Sequence, residues 1–386
     1  MLRVIRRIPT IPLLLGLCLG AAAALTFAFK TIGLLEQGVA SEKRAHEETK
    51  HTLLTVQSED QYVKNKALAA TISAIEKTYG QTVTMYEEVL FLKEFSKEGS
   101  VFDASISALL TLLSKREYAS SSVLLGAMAR DTKLLRSKLT TAAQSVPANV
   151  PVDNTLPGGG YRRQSVKTDY GTYLVDVIAA DLSSTRAIVD TASEKDCSND
   201  CPTVPLADYV TRNGGYAGIN GSYFCPAEYP SCSAKKNSFD TLLMNKNKAY
   251  FNAGNNVYST VPAVIFLGSS VQFVARSLEW GRDTSPDGVL ANQPLLLIGS
   301  NIQFGGDDDP KKGAKGPRSF VGSRGTILYI GVVHDATVAE VAHVLKAMGV
   351  ENAINLDSGG STALWYNGYK AGPGRNIPNA IVLIRR

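Results

Sequence analysis

"TILYIGVVHDATVAEVAHVLKAMGVENAINLD", Thr326–Asp357, decides how the C-terminal half of this chain is read. Thr326–Val333 is apolar and rich in β-branched residues, the composition of a strand. Thr337-x-x-Glu340 then forms a capping box, in which hydroxyl and carboxylate each satisfy a backbone N–H at a helix start. Val338, Val341, Ala342, Leu345 and Met348 recur at helical spacing, and Gly349 supplies a stop. Ala353–Leu356 reads as a second strand. Strand, helix, strand over this length predicts a βαβ crossover, which stands Asp357 at the carboxyl end of its strand. Such ends lie at the sheet edge where α/β proteins place ligands.

Asp357 runs directly into Ser358, Gly359, Gly360, Ser361 and Thr362. As an ordinary turn, the acid would bond backbone two residues on. As a site, the two glycines admit a ligand closely and the hydroxyls donate to it. "AGINGSYF", Ala217–Phe224, has the same double reading. Asn220-Gly221 marks a hairpin turn, or else Asn220, Ser222 and Tyr223 offer polar contacts. In "GPRSFVG", Gly316–Gly322, Arg318 is either a solvated charge or a fork for phosphate or carboxylate oxygens. His334 and Asp335 close the first strand and share the expected sheet edge with Asp357. Arg375, in "GPGRNIPNA", is a second candidate anion contact. "GGDDDPKKG", Gly305–Gly313, lacks the ligand spacing of an EF-hand and reads as a solvated loop. No phosphate-binding glycine loop, zincin motif or nucleophile elbow occurs, and neither cofactor nor metal is expected.

The remainder of the chain has a different texture. Its 386 residues are 44% hydrophobic and 19% charged, as in a folded protein, with a net charge of +5. That charge is spread out, without a basic stripe interleaved with aromatics, so no nucleic-acid partner is expected. Arg3, Arg6 and Arg7 precede an apolar run, Ile8–Phe29, closed by Lys30. The run reaches the roughly 20 residues that span a bilayer, and its basic flank places the N-terminus in the cytoplasm. The competing reading is a cleaved signal peptide, with an apolar region at Leu13–Leu19 and a small-residue site at Ala21–Ala24. Leu25, Phe27 and Phe29 continue the run past that site and favour an uncleaved anchor. Either way the body of the protein is exported, to the periplasm or cell exterior. Cys197, Cys201, Cys225 and Cys232 then suit disulfides, the local pairs 197–201 and 225–232 being the expected connectivity. The zinc alternative lacks the usual ligand spacing.

Leu34–Thr141 contains no proline and reads as helix, with Ile72, Ile75, Tyr79, Tyr86 and Val89 forming an amphipathic stripe. Ser41–Lys50 interrupts any long heptad, leaving a stalk, a few packed helices, or a partial coiled coil pairing with a second copy. Nothing in it looks catalytic. The expected organisation is an anchor over 1–33, a helical region over 34–144, a Pro/Gly linker over 145–160 and a sheet-rich domain over 161–386. The class is α+β, a mixed architecture.

Across Tyr161–Arg386 the motifs "AGINGSYF", "ANQPLLLIGS", "PRSFVG", "LYIGVVHD", "AINLDSGGSTAL" and "RNIPNAIVL", in this order, resemble the phosphodiester glycosidase family. The resemblance implies hydrolysis of an N-acetylglucosamine-1-phosphate type of linkage to free sugar and a phosphate monoester. It also implies a carbohydrate-phosphate substrate. The family's site then falls on Asn220, Gly221, Ser222, Tyr223, Arg318, His334, Asp335, Asp357, Gly359, Gly360, Ser361 and Thr362. Asp357 would be nucleophile or general base, and Arg318 with His334 would stabilise the departing phosphate. Ser358, Ser222 and Ala336 stand where the family commonly has glycine. These departures keep open an alternative, a non-catalytic envelope protein that binds a sugar phosphate or polysaccharide and assembles through its helices.

Overall fold

The computed structural model describes residues 10–58, 60–141, 149–256 and 259–386. Arg3, Arg6, Arg7, the start of the apolar run and residues 145–148 of the expected linker lie outside them. Contacts divide the chain into two units, Met1–Lys77 and Thr78–Arg386.

The first unit is helical. Helix α1, Thr10–Ser58, runs unbroken from the apolar stretch into polar sequence, and α2, Asp60–Phe95, begins here. From Leu19 onward α1 is long and apolar enough to cross a membrane. Leu25, Phe27 and Phe29 are all exposed on it.

The second unit opens with the C-terminal part of α2. It continues through α3, Asp103–Ser114, and α4, Tyr118–Thr141. Val89, Leu92, Phe102, Leu109 and Met128 bury together, and Ala314 from the sheet-rich part joins them. Each such side chain removed from water contributes about 1.5–3 kcal/mol. The helices from Thr78 onward are therefore part of the globular body.

Among the described residues the sheet-rich part holds three sheets. The largest has seven strands, in the order Gly160–Thr168, Gly171–Asp181, Ile327–Ala336, Gly316–Arg324, Asn352–Asn355, Leu295–Ile298, Asn301–Ile302. The strands Ile327–Ala336 and Asn352–Asn355 each pair antiparallel with Gly316–Arg324 between them, and so run parallel to each other. The helix Val338–Met348 joins them as the expected crossover, but over an intervening strand. Its capping box is formed: Glu340 N–H donates to Thr337 Oγ1 at 3.2 Å, and Thr337 N–H donates to Glu340 at 2.7 Å. Gly349, at φ 85°, ends it.

Strand alternation gives the large sheet two buried faces. Ile178, Ile330, Val332 and Ile354 face the two five-stranded sheets, meeting Ile219, Leu364 and Ile381 from one and Val264 and Leu290 from the other. Val175, Val177, Tyr329 and Val333 face the crossover helix through Val341, Leu345 and Met348. The chain is of the mixed class, helical first and sheet-rich after, as its composition predicts.

Three local expectations change. "GPRSFVG", not read as a strand from sequence, lies within a central strand, Gly316–Arg324, its Gly, Pro, Arg and Ser masking it from propensity. Asn220-Gly221 does not turn a hairpin. Ala217–Asn220 pairs instead with Leu364–Tyr366 and Asn379–Arg385, both distant in sequence. The segment read as linker is pinned to the first strand, with Asp153 N–H donating to Ser165 O and Ser165 N–H to Pro151 O, each at 2.9 Å.

Candidate active site

Asp357 follows the strand Asn352–Asn355, as the crossover requires, and its carboxylate faces a cavity of about 330 Å³. Its backbone is fixed from behind. Asp357 N–H donates to Gly221 O at 2.9 Å, and Asn220 Nδ2 donates to Asp357 O at 2.6 Å. Ser358 N–H donates to the carboxylate itself at 2.9 Å. Burial pushes the Asp357 carboxyl up to about 7, against the downward pull of the Ser361 hydroxyl and the Arg375 guanidinium. Hydrogen bonds and cations favour the anion, but lost hydration outweighs them.

The cavity wall carries both charges. Lys311, Lys312, Arg318 and Arg375 supply the cations. Glu94, Asp240 and Asp309 supply acids beside Asp357. Arg318 is held by backbone: Nε donates to Ala336 O at 3.0 Å, and Nη2 to Lys311 O at 2.8 Å and to Ala314 O. Burial draws its pKa down to about 10, which leaves it charged at neutral pH. Lys311 lies over the Tyr229 ring, 4.9 Å from its centroid. Cys225 and Cys232 form another part of the wall. Their Cα atoms are 5.5 Å apart, and those of Cys197 and Cys201 are 5.7 Å apart, both within the span of a disulfide.

Of the residues singled out from sequence, Asp357, Arg318, Arg375, Tyr223 and Ser361 come together on this cavity. Asn220, Gly221 and Ser222 stand behind it. Asn220 is fully buried, and its Oδ1 accepts from Ser319 Oγ at 2.7 Å and from Ala363 N–H at 3.1 Å. A Cβ on Gly221 would lie 1.7 Å from Asn379 Oδ1, so only glycine fits there. Ser222 N–H donates to that same oxygen at 2.9 Å. Gly359, Gly360 and Thr362 shape the turn, with Thr362 N–H closing onto Gly359 O at 3.0 Å.

His334 and Asp335 do not line the cavity. His334 Nε2 meets Asp176 Oδ2 at 2.7 Å, in a cluster where Arg163 and Tyr161 also donate to that carboxylate. Asp335 is exposed, at φ 48°.

The three positions where glycine was expected accept their side chains. Ser358 has an extended backbone, φ −141°, and its hydroxyl donates to Leu356 O at 3.1 Å while accepting from Ser319 N–H. Ala336 is buried and its carbonyl holds Arg318. Ser222 Oγ accepts from Asn379 Nδ2 at 3.2 Å.

Sequence reasoning missed Glu94, Tyr229, Lys311 and Lys312. The two lysines belong to the loop read as merely solvated. Its signal was position, because it lies just before Arg318. Glu94 sits among many charged helical residues and carries no local signal.

Residues 213–384 match the phosphodiester glycosidase family. Asp357, Arg318, Arg375, Tyr223 and Ser361 all lie within the matched residues. Among solved structures, the catalytic domain of zebrafish N-acetylglucosamine-1-phosphodiester alpha-N-acetylglucosaminidase, auto-inhibited by its pro-peptide, is 16% identical. It covers 64% of this chain and 87% of its own, with a TM-score of 0.46. A hypothetical protein from Synechocystis is 12% identical over 58% of this chain, with a TM-score of 0.39. The match spans 62% of that protein, less than two thirds of its length. No curated protein matches the sequence.

Proposed function

We propose that this chain is a membrane-anchored, extracytoplasmic phosphodiester glycosidase that hydrolyses a sugar-1-phosphodiester to free sugar and a phosphate monoester. One observation carries the reading: the Asp357 carboxylate, pushed up by burial, faces a cavity whose wall also presents Lys311, Lys312 and Arg318. A sugar phosphodiester needs both parts, a base near the anomeric carbon and positive charge on the phosphate.

Asp357 is assigned as general base. A base works best with a pKa near the working pH, and burial brings this one to about 7. Asp357 takes a proton from water as the water oxygen bonds to C1. The C1–O bond breaks and its electron pair stays on the phosphate oxygen. The leaving phosphate monoester has a second pKa of about 6, so it departs as an anion without a strong acid. Lys311, Lys312 and the fixed charge of Arg318 stabilise it, and Ser361 orients the base through the hydroxyl that meets Asp357. The apolar N-terminal helix supports the anchor, and the two close cysteine pairs suit an oxidising compartment.

Incubation of the purified full chain with the methyl ester of N-acetylglucosamine-1-phosphate, with assay of free sugar, tests this reading. Wild type should release sugar and Asp357→Asn should not. Equal release by the two would remove Asp357 from the mechanism.

A further inference from the structure

We propose that Glu94, in the last turn of α2 and outside the family-matched region, is a positioning residue for Asp357: it holds Arg375 against the Gly359–Ser361 turn and keeps that guanidinium from pairing directly with the catalytic carboxylate. The inference rests on the glycosidase reading and extends it to the helical part of the chain.

The contacts converge on one carboxylate. Glu94 accepts from Arg375 Nη2, from Gly360 N–H at 3.2 Å and from the Tyr229 hydroxyl at 3.1 Å. Its side chain is 17% exposed and that of Arg375 is 18% exposed, so this pair is screened less than one on the surface. Arg375 N–H donates to Gly360 O at 2.8 Å, closing the ring of contacts. A Cβ on Gly360 would stand 2.4 Å from Arg375 Nη2 and 3.1 Å from Glu94 Cδ. Residue 360 must be glycine for the pair to sit there.

The helix that presents Glu94 is firmly seated. Val89 and Leu92 are buried, Leu90 packs on the Cys225, Tyr229 and Cys232 cluster, and Ser231 N–H donates to Glu87 at 2.7 Å. The cavity keeps its volume of about 330 Å³ with Glu94 in its wall. The helix therefore completes the site and leaves it open.

The charged and titratable groups around Asp357 are Arg375, Arg318, Glu94, Tyr223 and Tyr229, with Lys311, Lys312, Asp240 and Asp309 elsewhere on the same cavity wall. Without Glu94, the carboxylate that Arg375 keeps among the described ion pairs is the exposed Glu228, at 3.6 Å, to compete with Asp357. Loss of the Glu94 charge and release of Arg375 both favour ionised Asp357, so both lower the pH at which the base loses its proton.

The test uses the detergent-solubilised full chain and the same methyl ester substrate. In Glu94→Gln the acid limb of the kcat/KM–pH profile should move down by about one pH unit, with a fall in kcat. The part of the Tm decrease between pH 5 and pH 8 that Asp357→Asn abolishes should shrink as well. Glu87→Ala, which loosens the same helix without changing charge beside Asp357, should leave the limb in place. If Glu94→Gln does not fold, Glu94→Asp withdraws the carboxylate by one methylene and should move the limb the same way by less. An unmoved limb overturns the proposal, as does a more active Glu94→Gln with the wild-type profile, which would mark an inhibitory plug. If wild type releases no sugar, the glycosidase reading fails, and the Tm comparison still decides the role of Glu94.

Discussion

Asn220 Nδ2 donates to the backbone carbonyl of Asp357 at 2.6 Å, joining residues 137 apart in sequence. The same side chain accepts from Ser319 and Ala363, so one buried amide ties the turn after Asp357 to its own strand, to the strand Gly316–Arg324 and to the segment entering Leu364–Tyr366. Asn220→Ala should cost about 2–4 kcal/mol, because it leaves several buried groups without partners. Chemical denaturation measures the loss, and kcat should fall with it as Asp357 loses its fixed backbone.

Asp357→Asn should reduce sugar release at least ~100-fold, the lower range for loss of a general base. Wild-type kcat/KM should rise with pH and level off above about 7, where the carboxylate is ionised. Stability should run the opposite way. The folded-state pKa lies above the ordinary 3.8, so the folded state holds its proton more tightly, and stability falls as pH rises from about 4 to about 7. Asp357→Asn removes a buried charge, and its Tm should exceed that of wild type by clearly more at pH 8 than at pH 5. Differential scanning calorimetry at the two pH values checks the sign.

Asp176 forms a structural lock at a different place. Burial works to raise its pKa, yet hydrogen bonds from His334, Arg163 and Tyr161 prevail and hold it down at about 2. Its contribution to stability is present above about pH 4 and is lost as pH falls from there toward 2. Asp176→Ala should cost about 3–5 kcal/mol, as expected when a buried ion pair loses one partner. His334→Ala should lower Tm while leaving kcat within about threefold, since this imidazole meets Asp176 and not the cavity. A large loss of kcat with little change in Tm would return His334 to the reaction.

The Cys225–Cys232 loop walls the cavity, and a disulfide across it should be worth about 2 kcal/mol by chain entropy. Cys225→Ser with Cys232→Ser should lower Tm and raise KM more than it lowers kcat, because Tyr229 within the loop supports the wall. Reductant should lower Tm further in wild type than in the double variant, which retains the Cys197–Cys201 pair.

Local sequence alone determined much of this protein. Thr337, Glu340 and Gly349 define the crossover helix through bonds that span only a few residues, so its place before Asp357 is readable from spacing. The apolar run of α1 and the two close cysteine pairs are equally local. Tertiary structure decided what depends on partners far away in sequence. The Gly316–Arg324 strand is stabilised by two neighbours rather than by its own propensity. Asn220 and His334, both polar residues near strand ends, become a buried bracket and a lock because of what packs against them. Glu94 has no distinguishing neighbours on its helix, and only folding sets it beside Arg375, 281 residues away. The charge state of Asp357 is likewise a tertiary property, because dehydration by the surrounding protein, not its neighbours in the chain, sets its affinity for a proton.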